Sequence, residues 1–213
     1  MTSSRIFLWL SAFTLILIAI FVVYTITRNS GGETSLQVPE IQSDDHTRGS
    51  DSNSLVFVEY SDFECSACGL AQPALRALYT EFASSTTFVY RHLPLSQHKN
   101  AALAAYAVEA AALQGKFWEM HDLLFDTQSE WSGIPEDQAR DYFVKLAEKL
   151  NLETVRFAAE MGSDVVKTRV QRDADDAVRI GVRGTPSFFI NGEKVTVKSF
   201  DDLRVGLISA ENK

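Results

Sequence analysis

The sequence predicts an α/β domain that carries a large helical insertion and follows one transmembrane helix. Three observations lead there. An uncharged apolar run fills 6–27 near the N-terminus. Strand-like runs recur at about 55–60, 86–91 and 187–190, and the long stretch between the last two has helical periodicity. The order is therefore strand, helix, strand, helical insert, hairpin, helix.

After a short tail at 1–5, the run Ile6–Thr27 holds 22 residues without a charge. At about 1.5 Å per residue that length crosses a hydrocarbon core of about 30 Å. A cleaved signal peptide is the competing explanation, but its apolar region is shorter and ends in a small-x-small site, which Tyr24-Thr25-Ile26-Thr27-Arg28 does not match. Arg5 before the span is answered by Arg28 after it, so charge leaves the orientation open. Residues 28–53 are rich in Gly, Ser, Thr, Asp and Glu and are expected to be a flexible linker, because they offer little apolar surface to bury.

The folded domain is expected at 54–213. Leu55-Val56-Phe57-Val58 begins a buried strand. The helix after it, at about 66–83, is marked by Leu70, Ala74, Leu75, Leu78 and Phe82. Thr86–Arg91 forms a second strand, parallel to the first through a right-handed crossover. The insertion, at about 98–180, starts with an Ala-rich helix read as continuing from Asn100 through Phe125. Pro135 opens the next helix, and two more follow at about 153–160 and 164–180, with Gly181 as the stop. Asn191-Gly192 joins strands at 187–190 and 194–197 in a hairpin, and Ser199-x-x-Asp202 opens a last helix.

Composition excludes some functions. A net charge of −8 with no basic stripe argues against nucleic acid as a partner. The chain has only 2 cysteines, so it has no structural disulfide framework. They stand as Cys65-Ser66-Ala67-Cys68, between a strand and a helix. At that place the positive end of the helix favours a thiolate on the first sulfur, and the two-residue gap lets the second sulfur close a disulfide. The thiols are read as chemistry. Glu64 puts a negative charge next to the pair and works in the opposite direction. Cys65 and Cys68 followed by His92 and His98 is a zinc spacing on paper, but the 23 residues between the pairs read as a helix and a strand that would hold them apart. No metal site is expected. His92 and His98 are read as loop or surface residues, and nothing singles out His46 or His121.

The strand plus Phe63-x-Cys65-Ser66-Ala67-Cys68, together with Gly184-Thr185-Pro186-Ser187-Phe188-Phe189-Ile190-Asn191-Gly192, resembles the thioredoxin superfamily, and within it the DsbA-like thiol–disulfide oxidoreductases. Arg91-His92-Leu93-Pro94-Leu95 and Gln114-Gly115-Lys116-Phe117-Trp118 are similar to the membrane-anchored bacterial branch. The resemblance covers roughly 54–213 and implies a thioredoxin fold interrupted by a helical insertion. It implies that Cys65 is the attacking sulfur, Cys68 the buried resolving thiol, and Glu59 a buried acid that takes the proton of Cys68. It further implies that Pro186 is cis and that Thr185, Pro186 and Phe63 lie where substrate binds. Ser66-Ala67 lacks the Pro and His of the strongly oxidising members.

The expected activity is a thiol–disulfide oxidoreductase that introduces disulfides into exported proteins, as a monomer with no cofactor. The domain would lie outside the cytoplasm on a single-pass membrane anchor. Its partners would be unfolded exported proteins with free thiols and a quinone-linked membrane redox protein that reoxidises it. A disulfide reductase or isomerase of the same fold, or a non-catalytic metal-binding module, are the alternatives.

Overall fold

A computed structural model describes residues 13–25, 38, 40–50 and 55–212. Residues 13–25 form helix α1, which belongs to a separate unit from the rest of the chain. Among the described residues no helix is long and apolar enough to cross a membrane. The ends of the span expected at 6–27, the tail at 1–5, and residues 28–37, 39 and 51–54 of the expected linker and domain start lie outside the described residues.

Residues 55–212 form the predicted succession with several corrections. β2 (Leu55–Ser61), α2 (Ser66–Glu81) and β3 (Thr86–His92) make the crossover unit, and β2 and β3 pair in parallel from Leu55 opposite Thr86 to Ser61 opposite His92. The insertion is α3 (Ala101–Ala112), α4 (Phe117–Asp126), α5 (Gln128–Trp131), α6 (Glu136–Lys149), α7 (Thr154–Glu160) and α8 (Asp164–Arg179). The helix expected to run unbroken from Asn100 to Phe125 stops at Ala112 and restarts at Phe117. Gly115 causes the break: its φ of +75° is left-handed, and the Lys116 N–H turns back to the Ala111 carbonyl. β4 (Ser187–Ile190) runs antiparallel to β2 and continues through Asn191 and Gly192, both at positive φ, into β5. β5 is only Glu193–Lys194, shorter than the strand expected over 194–197. α9 (Asp201–Glu211) closes the domain.

The linker expectation is corrected as well. His46–Gly49 is a strand, β1, paired antiparallel with β3, so the five-stranded sheet has the order β1-β3-β2-β4-β5. β1 was missed because it is polar, and a polar edge strand has no apolar alternation to reveal it. Three side-chain ties hold it in place. Arg91 on β3 forms a buried ion pair with Asp45 at 2.7 Å, the indole of Trp118 donates to the Thr47 carbonyl at 2.9 Å, and the Arg48 guanidinium lies 3.6 Å over the Trp118 ring. At Gly49 the turn needs a φ of +94°, and a side chain there would run into the Thr86 carbonyl.

Strand alternation sorts the core into two faces. Phe57, Phe88 and Phe188 point to one side and pack with Leu75, Leu78, Leu203 and Leu207 of α2 and α9. Val58, Val89 and Phe189 point to the other side, against Ala177 of α8 and Val182. Each fully buried Phe contributes about 2–3 kcal/mol of apolar transfer. Glu59 lies two residues after Phe57 and so points toward α2, the helix that carries the dithiol.

Candidate active site

The apolar run of β2 ends at Ser61, and Asp62 then shapes the turn into α2. One carboxylate oxygen of Asp62 accepts from the Glu64 N–H at 2.8 Å, and the other accepts from the Leu95 N–H at 2.9 Å and His98 Nδ1 at 2.6 Å. This places Cys65 at the N-cap of α2, with φ −70° and ψ 118°. No side chain caps the helix, so its first N–H groups stay directed at the sulfur. Cys65 is 8 % exposed and Cys68 is 0 % exposed. Both are free thiols, and Cys65 is the more accessible of the two.

Pairing of β4 with β2 sets Ser187 opposite Tyr60, which brings the residues just before β4 to the end of β2 where the Cys65 turn begins. The Thr185–Pro186 bond is cis. Cys65 Sγ donates to the Thr185 carbonyl at 3.5 Å, so the two sequence motifs, 120 residues apart, form one site. The Thr185 hydroxyl is buried beside the same sulfur.

The electrostatics of the two sulfurs differ. The Cys65 thiol is pulled down to about 5, chiefly by the hydrogen bond from the Cys68 thiol; burial opposes this, and Thr185 and the N–H groups of Cys68 and Ala67 reinforce it. Burial pushes Cys68 far above the ordinary thiol range, and the charges of Cys65 and Glu59 push it further. Glu59 is 1 % exposed, and burial raises its carboxyl to about 7. Its one hydrogen bond among the described residues comes from the Tyr79 hydroxyl at 3.3 Å, which leaves Oε1 unpartnered. A carboxyl in that state can take or give a proton near neutral pH.

One expectation about this region is corrected. Phe63 is 1 % exposed and packs on Tyr90 and Phe125, so its ring belongs to the core and cannot meet a substrate. The Glu64 carboxylate turns into the insertion, where it accepts from the Asn100 N–H at 2.5 Å and the Gly133 N–H at 2.7 Å.

His98 keeps the loop position expected of it and His121 lies on α4, but His92 and His46 depart from expectation. His92 is buried and bonded to Glu109. His46 belongs to β1 and bonds to the same carboxylate. His121 is fully buried, and that burial lowers its pKa to about 4. Burial also acts to lower His98, but the hydrogen bond and charge of Asp62, with the charges of Cys65 and Glu64, raise it above the ordinary histidine value. His92 and His98 do not gather around the two cysteines in any group of possible metal ligands among the described residues.

Gln128 of α5 is the site residue least visible beforehand. Its amide donates to the Phe63 carbonyl at 2.7 Å and the Cys65 carbonyl at 2.9 Å, fastening the turn from the insertion side. No motif marks it. Asp62 could have been noticed as an acid directly before the Phe-x-Cys stretch.

Comparison with known proteins supports this architecture. The model of the thioredoxin family matches residues 42–207. Among solved structures, the chain is similar to BdbD from Bacillus subtilis in its oxidised form, with a TM-score of 0.69 and 18% identity over 78% of this chain and 92% of that one. It is also similar to a thioredoxin-like oxidoreductase from Silicibacter pomeroyi DSS-3, with a TM-score of 0.68 and 20% identity over 85% of this chain and 98% of that one. Identities this low establish a shared fold. Among curated proteins, 166 residues are 43% identical to Na(+)/H(+) antiporter NhaA 3 of Salinispora tropica, covering 78% of this chain and 24% of that protein. The chain spans about a quarter of the length of the curated relatives it matches, and their name describes the longer proteins.

Proposed function

This chain belongs to the thioredoxin family, and we propose that it is a thiol–disulfide oxidoreductase acting through Cys65 and Cys68. One observation carries the proposal. The Cys65 sulfur, at the N-terminus of α2, lies 3.5 Å from the Thr185 carbonyl with the other thiol buried behind it. A partner can therefore reach only one sulfur.

In the disulfide form, a substrate thiolate attacks Cys65. The Cys65–Cys68 bond breaks as a substrate–Cys65 bond forms, and Cys68 leaves. A leaving thiolate with so high a pKa needs a proton, and protonated Glu59, whose charge is felt at Cys68, is the donor at hand. A second substrate thiolate then attacks the substrate sulfur of the mixed disulfide and releases Cys65 as a thiolate. Two electrons pass from the substrate thiols to the protein. Stabilising that thiolate favours the dithiol over the disulfide, which is the direction an oxidant needs.

The finer assignment is a disulfide donor for newly exported, still unfolded proteins. The domain would stand outside the cytoplasm, held to the cell membrane by the apolar run at 6–27. An oxidising compartment is where such disulfides persist. Each turnover leaves the dithiol, so a quinone-linked membrane partner is needed to reoxidise it. Trapping tests the proposal. A Cys68→Ala protein whose Cys65 is first loaded as a mixed disulfide with a small thiol should pass that sulfur to client thiolates and accumulate client mixed disulfides through Cys65, and none forming would defeat it. A redox titration separates the directions, since a potential near about −270 mV, like that of thioredoxin, would make the protein a reductase.

A further inference from the structure

Apart from the dithiol, one group of possible metal-ligating side chains stands out, and it lies where β1, β3 and α3 meet. His46 Nε2 and His92 Nε2 each lie 2.7 Å from the same atom, Oε1 of Glu109. The ligand-capable atoms of the three residues all fall within 4.8 Å of one another. Two imidazoles converging on a single carboxylate oxygen is a donor set, and their rings are already oriented. His46 lies flat on Phe117 at 3.5 Å, and His92 stands edge-on to Tyr90 at 5.2 Å.

Three further features point to an ion. His92 Nδ1 is buried with no hydrogen-bond partner among the described residues, so nothing on that side of the ring fixes the proton. The proton can move to Nδ1 and leave the Nε2 lone pair for a metal. A cavity of about 740 Å³, lined by His46, Glu109, Leu113, Val165, Arg169 and Arg172, gives access and room for water. The local charge is also suitable. Arg169 Nε comes within 4.0 Å of the Glu109 oxygen, but its guanidinium is engaged by Asp173 at 2.5 Å and Asp45 at 3.7 Å. Asp45, Asp173 and Glu109 together outnumber Arg91 and Arg169, the remaining pair being Arg172 with Asp44.

We propose that His46, His92 and Glu109 bind a divalent transition-metal ion of the zinc class, with water from the cavity completing the shell. Two imidazoles select zinc, cobalt, nickel or copper over calcium or magnesium, which prefer all-oxygen sites. Zinc bonds of about 2.0–2.1 Å put tetrahedral ligands about 3.3 Å apart, so each imidazole, now 2.7 Å from the Glu109 oxygen, backs away from it by about 0.6 Å while the two imidazole nitrogens, which lie within 4.8 Å of each other, settle to the same spacing. The ion fastens β1 to the sheet and to the helical insertion. The site is independent of thiol chemistry and uses neither cysteine.

The test uses the full chain in its disulfide form, so that the sulfurs cannot ligate. After stripping with a chelator, calorimetric titration with zinc chloride should show one ion per chain. Cobalt(II) should give ligand-field bands of nitrogen and oxygen coordination. His46→Ala should weaken zinc at least tenfold with an unchanged circular dichroism spectrum. No saturable binding by the wild type, or equal affinity in His46→Ala, overturns the proposal. Should that variant not fold, the imidazole nitrogen shifts of the wild type decide. Movement of His46 and His92 on adding zinc supports the site, and movement of His98 or His121 alone overturns it.

Discussion

The side-chain amide of Gln128 is held 2.9 Å from the carbonyl of Cys65, and its oxygen occupies the space that a side chain at position 69 would enter. A methyl group on Gly69 would stand 2.5 Å from Gln128 Oε1. The dithiol turn and the insertion are therefore fastened by one polar side chain that packs against a residue without a Cβ.

Gln128→Ala should cost about 1–2 kcal/mol, because it takes the amide donor from the Phe63 carbonyl and leaves the Cys65 carbonyl with the Gly69 N–H alone of the two donors described. Gly69→Ala alone should destabilise as well, by pushing the amide away. In the Gln128→Ala background the same change should be neutral or stabilise by up to about 1 kcal/mol, since alanine is the better helix residue. A double-mutant cycle from urea melts checks this coupling; additive costs would rule it out.

The sulfur chemistry has a pH signature. The Cys65 thiol is depressed to about 5, so alkylation of the reduced protein should already be near its maximum rate at pH 6. Because the folded-state value is depressed, the stabilisation it gives the reduced form is complete above the ordinary thiol range and is lost as pH falls through about 5. The reduced form should melt above the oxidised form at pH 7, and the gap should close toward pH 4. Calorimetry of both redox forms measures it, and a gap independent of pH would contradict the assignment.

Glu59 gives the opposite sign. Burial raises its pKa from 4.5 to about 7, so the native state holds a proton that the unfolded chain has released. Its contribution to stability is intact below the unfolded value and falls as pH rises through the folded one, by about 3 kcal/mol in all. Glu59→Gln keeps an acceptor for the Tyr79 hydroxyl and should abolish that loss, making the variant relatively more stable at pH 8. The same variant should slow release of the Cys68 thiol by at least about tenfold. Stopped-flow reduction at several pH values reads the second effect, and an unchanged rate would remove Glu59 from the proton path.

Asp45→Ala should be severe. Both side chains of the Asp45–Arg91 pair are buried, 0% and 1% exposed. Removing the acid leaves the Arg91 guanidinium with Tyr60 and the Glu40 carbonyl but no buried counter-charge from residue 45, at about 3–5 kcal/mol. Denaturant melts check the figure; a loss below about 1 kcal/mol would mean that residues 40–50 contribute little to the fold.

The sequence revealed those parts of the fold whose signals are local. The apolar runs of β2, β3 and β4 announce strands, Asn191-Gly192 announces the hairpin, and Cys65-x-x-Cys68 between strand and helix announces the dithiol. What stayed hidden depends on distance or on polarity. His46, His92 and Glu109 lie 46 and 17 residues apart and meet only in three dimensions. Gln128 is an ordinary helical polar residue until its two carbonyl partners, 65 and 63 residues earlier, are brought to it. Phe63 was expected where substrate binds because it belongs to a motif, whereas hydrophobic burial decided its position. The turn at Gly115 was readable as a glycine between two apolar stretches, but unbroken helical periodicity on both sides obscured it.

Glu64 has a consequence for how encounters end. Its carboxylate is tied to two separate points of the insertion, at Asn100 and Gly133, so the rim around the reactive sulfur has little slack. Whatever accommodation a collision requires must come from the visiting chain. On the function proposed above, stiff, finished molecules should bounce off, and pliant ones should settle long enough to react.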